Sequence, residues 1–152
     1  MPPTIRVQPA VAADVPAVRE LYRRSSLSNE GDRELLTMHP ELLDWSDAAV
    51  REGRTRVAVA GGRVVGFATL LVKETSAEVE DLFVDPDWMR RGVGRALVED
   101  IAGVAGSMGW PFIEVDANPH AVGFYSRVGF VAVGLAAVEY GTGVRMRCPT
   151  AL

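Results

Sequence analysis

Between Asp85 and Leu97 the chain reads DPDWMRRGVGRAL, with Gly92 and Gly94 set among Arg90, Arg91 and Arg95. Glycines at the mouth of an apolar helix leave unpaired N–H groups, where the helix dipole favours negative charge. A small residue lets a phosphate approach the backbone, and arginines add charge-assisted hydrogen bonds. The chemistry implied is anion binding. No Gly-Lys-Ser/Thr is present, which removes a nucleotide-triphosphate loop; Leu97 stands where a dinucleotide fingerprint needs a small residue. The diphosphate of some other cofactor remains, beside the simpler reading of a solvated arginine turn.

Two carboxylates precede this loop. In the strand expected over 77–85, Glu78, Glu80, Leu82 and Val84 share one face, and Val79, Asp81 and Phe83 the other. Neighbouring carboxylates can raise one pKa towards a useful range, or attract a cationic substrate. Asp81, among apolar residues, is expected to bond to a helix or a partner side chain. Glu114 and Asp116 read first as partners for arginines. Tyr125 lies on a helical stripe with Ala121 and Val128 that serves equally as core; Asn118 is a good N-cap. His39, His120 and Cys148 have no metal-ligand company, and nothing near Cys148 makes it a nucleophile.

The elements that must position these groups follow from pattern. TIRVQPA is a first strand. Asp14 caps a helix carrying Val15, Val18, Leu21 and Tyr22, which SSLSNEGD ends. Residues 31–53 form two short helices around Pro40, and Met38, His39, Leu42, Leu43 and Trp45 read equally as ordinary helix packing or as the lining of a pocket. Strands 55–60 and 63–73 form a hairpin across Gly61-Gly62. A helix runs from Gly92 to Met108 with Val93, Leu97, Val98, Ile101 and Ala105 inward; strand 112–117, a helix from Asn118 to Gly129 and two last strands complete the order.

The 152 residues suit one domain, 1–152, and 48% hydrophobic content makes it globular. A net charge of −4 lacks the basic excess of a nucleic-acid binder. One cysteine forms no internal disulfide, the N-terminus has no signal-peptide pattern, and no apolar run reaches membrane-span length. A cytoplasmic protein, acting on neither nucleic acid nor membrane, is the expectation.

VEDLFVDPDWMRRGVGRALVEDI (79–101) closely resembles the cofactor motif of the Gcn5-related N-acetyltransferase superfamily, and IEVDANPHAVGFYSRVGFVAVG (113–134) resembles its second motif. The resemblance covers nearly the whole chain. It implies an α/β (α+β) fold with a mixed, mostly antiparallel sheet of six to seven strands, splayed at the cofactor site, with helices on both faces. It implies acetyl-CoA as co-substrate, no metal, and direct acetyl transfer to a primary amine of a small molecule, protein or peptide; the acidic cleft leans towards a cationic small molecule. The N–H groups of Arg90, Arg91, Gly92, Val93, Gly94 and Arg95 would bind the CoA diphosphate. Leu82 and Val84 would pair with the pantetheine arm, and Asn118 would contact it. The Leu82 N–H would polarise the acetyl carbonyl, Tyr125 would protonate the departing sulfur, and Glu80, then Glu78, would be the base. Met89 departs from the family's Gln/Arg, which puts a side-chain contact there in question. A homodimer through the C-terminal strands is also implied. The rival reading is a non-catalytic acyl-CoA-binding or regulatory module.

Overall fold

The computed structural model describes residues 4–28, 30–138 and 141–151. Seven strands hydrogen-bond in the order β1-β2-β3-β4-β5-β7-β6: β1 Arg6–Pro9, β2 Thr55–Ala60, β3 Arg63–Val72, β4 Ala77–Val84, β5 Phe112–Ala117, β6 Val131–Val138 and β7 Gly141–Pro149. The helices are α1 Val15–Ser28, α2 Glu30–Met38, α3 Ala48–Arg51, α4 Val93–Ser107 and α5 Val122–Arg127. β4 runs parallel to β5, whereas β1–β2, β2–β3, β5–β7 and β6–β7 are antiparallel. The mixed, mostly antiparallel sheet expected from sequence is present. Chain contacts divide it into two units, Met1–Thr69 with Asp81–Leu97, and Leu70–Glu80 with Val98–Leu152.

In the first unit, Gly61 and Gly62 turn the β2–β3 hairpin with φ of 58° and 76°, the positive pair that a two-residue turn of this hand requires. Val18, Leu21, Trp45, Val57 and Phe67 form the centre of its core. An aromatic chain runs through it: Trp45 meets Phe67 edge-on at 5.4 Å, Phe67 stacks on Phe83, and Tyr22 meets Phe83 edge-on at 5.0 Å.

α1 ends at Ser28, inside the SSLSNEGD stretch expected to end it, and the Ser28 hydroxyl donates to the Ser25 carbonyl. Asn29, within the stretch expected to end it, lies outside the described residues. Asp14 does not cap α1 forwards; its carboxylate accepts from the Val11 N–H at 2.8 Å, closing a preceding 3-10 turn.

In the second unit, β5 and β7 pair from Phe112↔Pro149 to Ala117↔Val144, and β6 lies outside β7. Ile113, Val115, Phe130 and Met146 are buried. Thr150 closes the sheet end through its hydroxyl on the Trp110 carbonyl, 2.6 Å, and its N–H on the Pro111 carbonyl. Glu139 and Tyr140, part of the last long strand expected from sequence, lie outside the described residues.

Candidate functional site

Leu82, Val84 and residues 90–95 belong to the first unit; Glu78, Glu80, Asn118 and Tyr125 belong to the second. The loop is built outward from β4. Val84 ends the strand buried, and Asp85 caps a 3-10 turn, Pro86–Trp88, by accepting the Asp87 N–H at 2.9 Å. Asp followed by Pro at the first helical position is a local cap signal. Two residues on, Arg90 takes φ of +62° and Gly92 φ of +86°, and Arg90 is the one non-glycine residue with positive φ among the described residues. Alternation of positive and negative φ turns successive N–H groups towards one point, an anion-binding nest. α4 starts at once with Val93, so free N–H groups at its first turn extend the same concavity. The residues present therefore fit a diphosphate through backbone donors. Among side chains, Arg91 is held over the Trp88 ring at 4.9 Å, a contact the sequence reading did not foresee. Met89 is 41% exposed.

Gly66 on β3 sets where α4 begins. A Cβ there would lie 2.7 Å from Val93 Cγ1, 3.0 Å from Leu97 Cδ1 and 3.1 Å from the Phe83 carbonyl oxygen. Only a glycine admits the helix this close to the strand.

Asp81 bonds to Trp45, whose indole N–H donates to its carboxylate at 3.1 Å. Trp45 is buried by this bond and by Phe67, so it serves the core rather than an open acceptor pocket. Met38 is exposed, and with Arg33, Glu34 and Thr37 it lines an open depression on α2; the Leu42 side chain lies outside the described residues.

In the second unit, Glu78 and Glu80 differ sharply. Glu78 accepts from Arg145 at 3.2 Å, from the Ser76 hydroxyl at 2.7 Å and from Lys73 at 3.3 Å. Burial pushes its pKa up, but the hydrogen bonds from Arg145, Ser76 and Lys73 together outweigh burial and leave it below the ordinary carboxylate value. Arg145 also holds Asp116 at 2.9 Å and Glu114 at 3.5 Å, and Arg147 holds Glu114 at 3.4 Å. Burial lowers the Arg145 pKa and its bonds to Glu78 and Asp116 raise it further, so it stays charged. Glu78, one of the two carboxylates of the expected acidic cleft, is thus held with Glu114 and Asp116 in an ionic network with Lys73, Arg145 and Arg147. Glu80 is exposed on the same strand face.

A carboxylate whose folded pKa lies below its unfolded value stabilises the fold above the unfolded pKa and loses that contribution as pH falls through the folded pKa. The melting temperature is therefore expected to fall as pH drops from roughly 5 towards 3, and Glu78→Gln is expected to flatten that slope. Thermal melts across this range check it; an unchanged slope in the variant rejects the network as its source.

Asn118 precedes the turn Pro119–Ala121 with extended backbone, and its side chain makes no capping hydrogen bond. Tyr125 lies half-buried on α5, edge-on to Phe130 at 5.2 Å and to Phe124 at 5.5 Å. Cys148 is buried, and burial raises its thiol pKa, which keeps it protonated and inert. Among the described residues no group of three or more His, Cys, Asp or Glu side chains gathers as a metal site.

The fold is a mixed α/β sheet in which a strand runs through Val-Asp-Pro into a nest and a helix N-terminus. Residues 25–148 match the family model described as "Acetyltransferase (GNAT) domain", and the chain belongs to that family. It is 31% identical over 78 residues to the glucosamine 6-phosphate N-acetyltransferase of Trypanosoma brucei brucei, a match covering 47% of this chain and 53% of that protein. It is 39% identical over 75 residues to the peptidyl-lysine N-acetyltransferase YjaB of Escherichia coli, covering 49% of this chain and 47% of that one. The chain thus matches about half the length of these curated relatives. The crystal structure of PaiA N-acetyltransferase from Thermoplasma acidophilum, in complex with coenzyme A, has the same fold, with a TM-score of 0.73 over 96% of this chain and 99% of that one at 16% identity.

Proposed function

We propose that this chain transfers the acetyl group of acetyl-CoA directly to a primary amine of a small molecule or of a protein or peptide. The observation that carries this reading is the nest at Arg90–Gly92 opening onto α4, with backbone donors suited to a diphosphate. The relatives' names add amine acceptors of two kinds, an amino sugar phosphate and peptidyl lysine, and the PaiA structure adds coenzyme A as a ligand of this fold.

The roles follow. Backbone N–H groups of Arg90, Arg91, Gly92, Val93, Gly94 and Arg95 bind the diphosphate. Leu82 and Val84 pair with pantetheine, as an added strand does. β4 pairs with β5 at Ala77↔Ile113 and Glu78↔Glu114, at the beginning of both strands, which supports leaving the later part of β4 for the cofactor. The Leu82 N–H polarises the acetyl carbonyl. Asn118, with no cap bond to hold it, turns to pantetheine. Glu80 takes a proton from the amine, and Tyr125 gives one to the leaving sulfur. Glu78, tied to three donors, is the weaker candidate for base and serves as an anchor.

The chain acts as one domain over 1–152, supported by the length of the family match. A cytoplasmic setting suits a soluble thioester donor; no described helix is long and apolar enough to cross a membrane. A homodimer through β6 is supported by Val131, Val133 and Leu135, exposed at 60%, 47% and 82% along the sheet's edge strand; light scattering reads it directly.

The test is a thermal-shift assay with CoA and NAD, followed by acetyl-CoA consumption against amino sugars, polyamines, amino acids and lysine peptides. Stabilisation by CoA and turnover with one amine class are expected. Stabilisation by CoA without turnover on any amine makes the chain a non-catalytic binder, and stabilisation by NAD alone overturns the choice of donor.

A further inference from the structure

One buried carboxylate in the first unit plays no part in the chemistry above. Asp85 is 1% exposed. Its Oδ1 accepts from Arg24 Nη2 at 2.8 Å and from the Asp87 N–H at 2.9 Å, and its Oδ2 accepts from Arg24 Nη1 at 3.0 Å. Arg24, on α1, also reaches Asp87 at 3.3 Å, and Arg63 stands 3.8 Å from Asp85 Oδ2. The Asp85 N–H donates to the Val65 carbonyl on β3, and its own carbonyl accepts from Trp88 N–H, both at 2.8 Å. Burial pushes the Asp85 pKa up, but the Arg24 and Asp87 hydrogen bonds outweigh it and hold it below the ordinary value.

Arg90, five residues later, sits at φ of +62°, a region that non-glycine residues rarely adopt. Such a conformation persists only where its surroundings over-determine it. Downstream, the loop is fixed by the start of α4. Upstream, it is fixed by the Asp85 turn, and that turn depends on a buried charge that Arg24 neutralises in a two-point, charge-assisted contact. Without Arg24 the buried carboxylate keeps only the Asp87 N–H and the more distant Arg63 at 3.8 Å, so its charge is poorly compensated and it takes a proton or swings to water. Either change slackens the cap on Pro86–Trp88 and lets Arg90 relax, and the N–H groups lose their common direction.

We propose that Arg24 is a positioning residue for acetyl-CoA binding: through buried Asp85 it holds the loop from Trp88 to Gly94 in its anion-binding form without touching the cofactor. This rests on reading that loop as the diphosphate site. CoA affinity by calorimetry, and kcat and KM once an acceptor is known, are measured for the wild type, Arg24→Ala, Arg24→Lys, Asp85→Asn, the Arg24→Ala/Asp85→Asn pair and Gly92→Val. Each is held at a temperature where circular dichroism shows it folded. Arg24→Ala is expected to weaken CoA binding and raise KM for acetyl-CoA about tenfold, with kcat within about twofold. Arg24→Lys recovers part of the loss, and the double variant binds no worse than Arg24→Ala alone, because both act on one contact. Arg24→Lys and Asp85→Asn carry the test if Arg24→Ala does not fold. Lowered melting temperatures with unchanged CoA affinity, or a fall in kcat alone, overturn the proposal. If Gly92→Val also leaves affinity unchanged, the diphosphate reading itself fails; if it alone weakens binding, only the role of Arg24 fails.

Discussion

Tyr125→Phe is expected to lower kcat by about a hundredfold or more, within the range for loss of a positioned proton donor, while CoA affinity stays within about twofold. The ring makes contacts that do not involve its hydroxyl. Phe130 is 2% exposed and meets the ring edge-on, and its N–H donates to the Tyr125 carbonyl at 3.0 Å. Phenylalanine keeps these contacts and removes the hydroxyl. The proposed step uses that donor, since a proton given to the sulfur as the C–S bond breaks stabilises the departing thiolate. Glu80→Gln is the complementary test: it is expected to lower the rate and remove the acidic limb of the pH–rate profile, because a carboxyl must be ionised to act as base. Steady-state rates across pH, with CoA binding measured in parallel, check both. Full activity in Tyr125→Phe places the acid elsewhere, and an unchanged profile in Glu80→Gln rejects that base.

The contrast between Glu78 and Glu80 shows where sequence reasoning stops. Alternation alone puts both on one strand face, and the structure agrees. It does not say that Arg145, 67 residues away, takes one of them. Features with a short-range cause were readable: the Gly61-Gly62 hairpin, the apolar stripe of α4, the glycine-rich helix start. The stripe residues Val93, Leu97, Val98, Ile101 and Ala105 are indeed buried. Asp81 was expected to find a polar partner because its strand face is apolar, and it does, in Trp45. What escaped were pairings made by the fold. Arg24 and Asp85 stand 61 residues apart, and neither type nor spacing links them. The left-handed backbone of Arg90 was equally hidden, because an arginine gives no sign of a conformation that glycine would announce.

Gly66→Ala is expected to lower both stability and CoA affinity, and the two effects share one cause. The added methyl meets Val93 Cγ1, Leu97 Cδ1 and the Phe83 carbonyl at 2.7, 3.0 and 3.1 Å. Val93 and Leu97 can yield by rotamer changes only into a core where they are 1% and 0% exposed, and the carbonyl is backbone. The first turn of α4 must therefore move off β3. Overpacking of this kind costs about 1–3 kcal/mol, or roughly 2–4 °C of melting temperature per kcal/mol for a chain of this size. The same turn supplies the N–H groups proposed for the diphosphate, so its displacement should raise the CoA dissociation constant as well. Gly103→Ala separates these effects. Gly103 lies on the same helix, and nothing stands within 4 Å of a Cβ built there. Its replacement by Ala should stabilise the helix by up to about 1 kcal/mol and leave CoA binding unchanged. Melting curves and calorimetric titrations of the two variants decide the matter. If Gly66→Ala melts lower yet binds CoA as the wild type does, the seat of α4 on β3 serves the core alone, and the loop keeps its form without it.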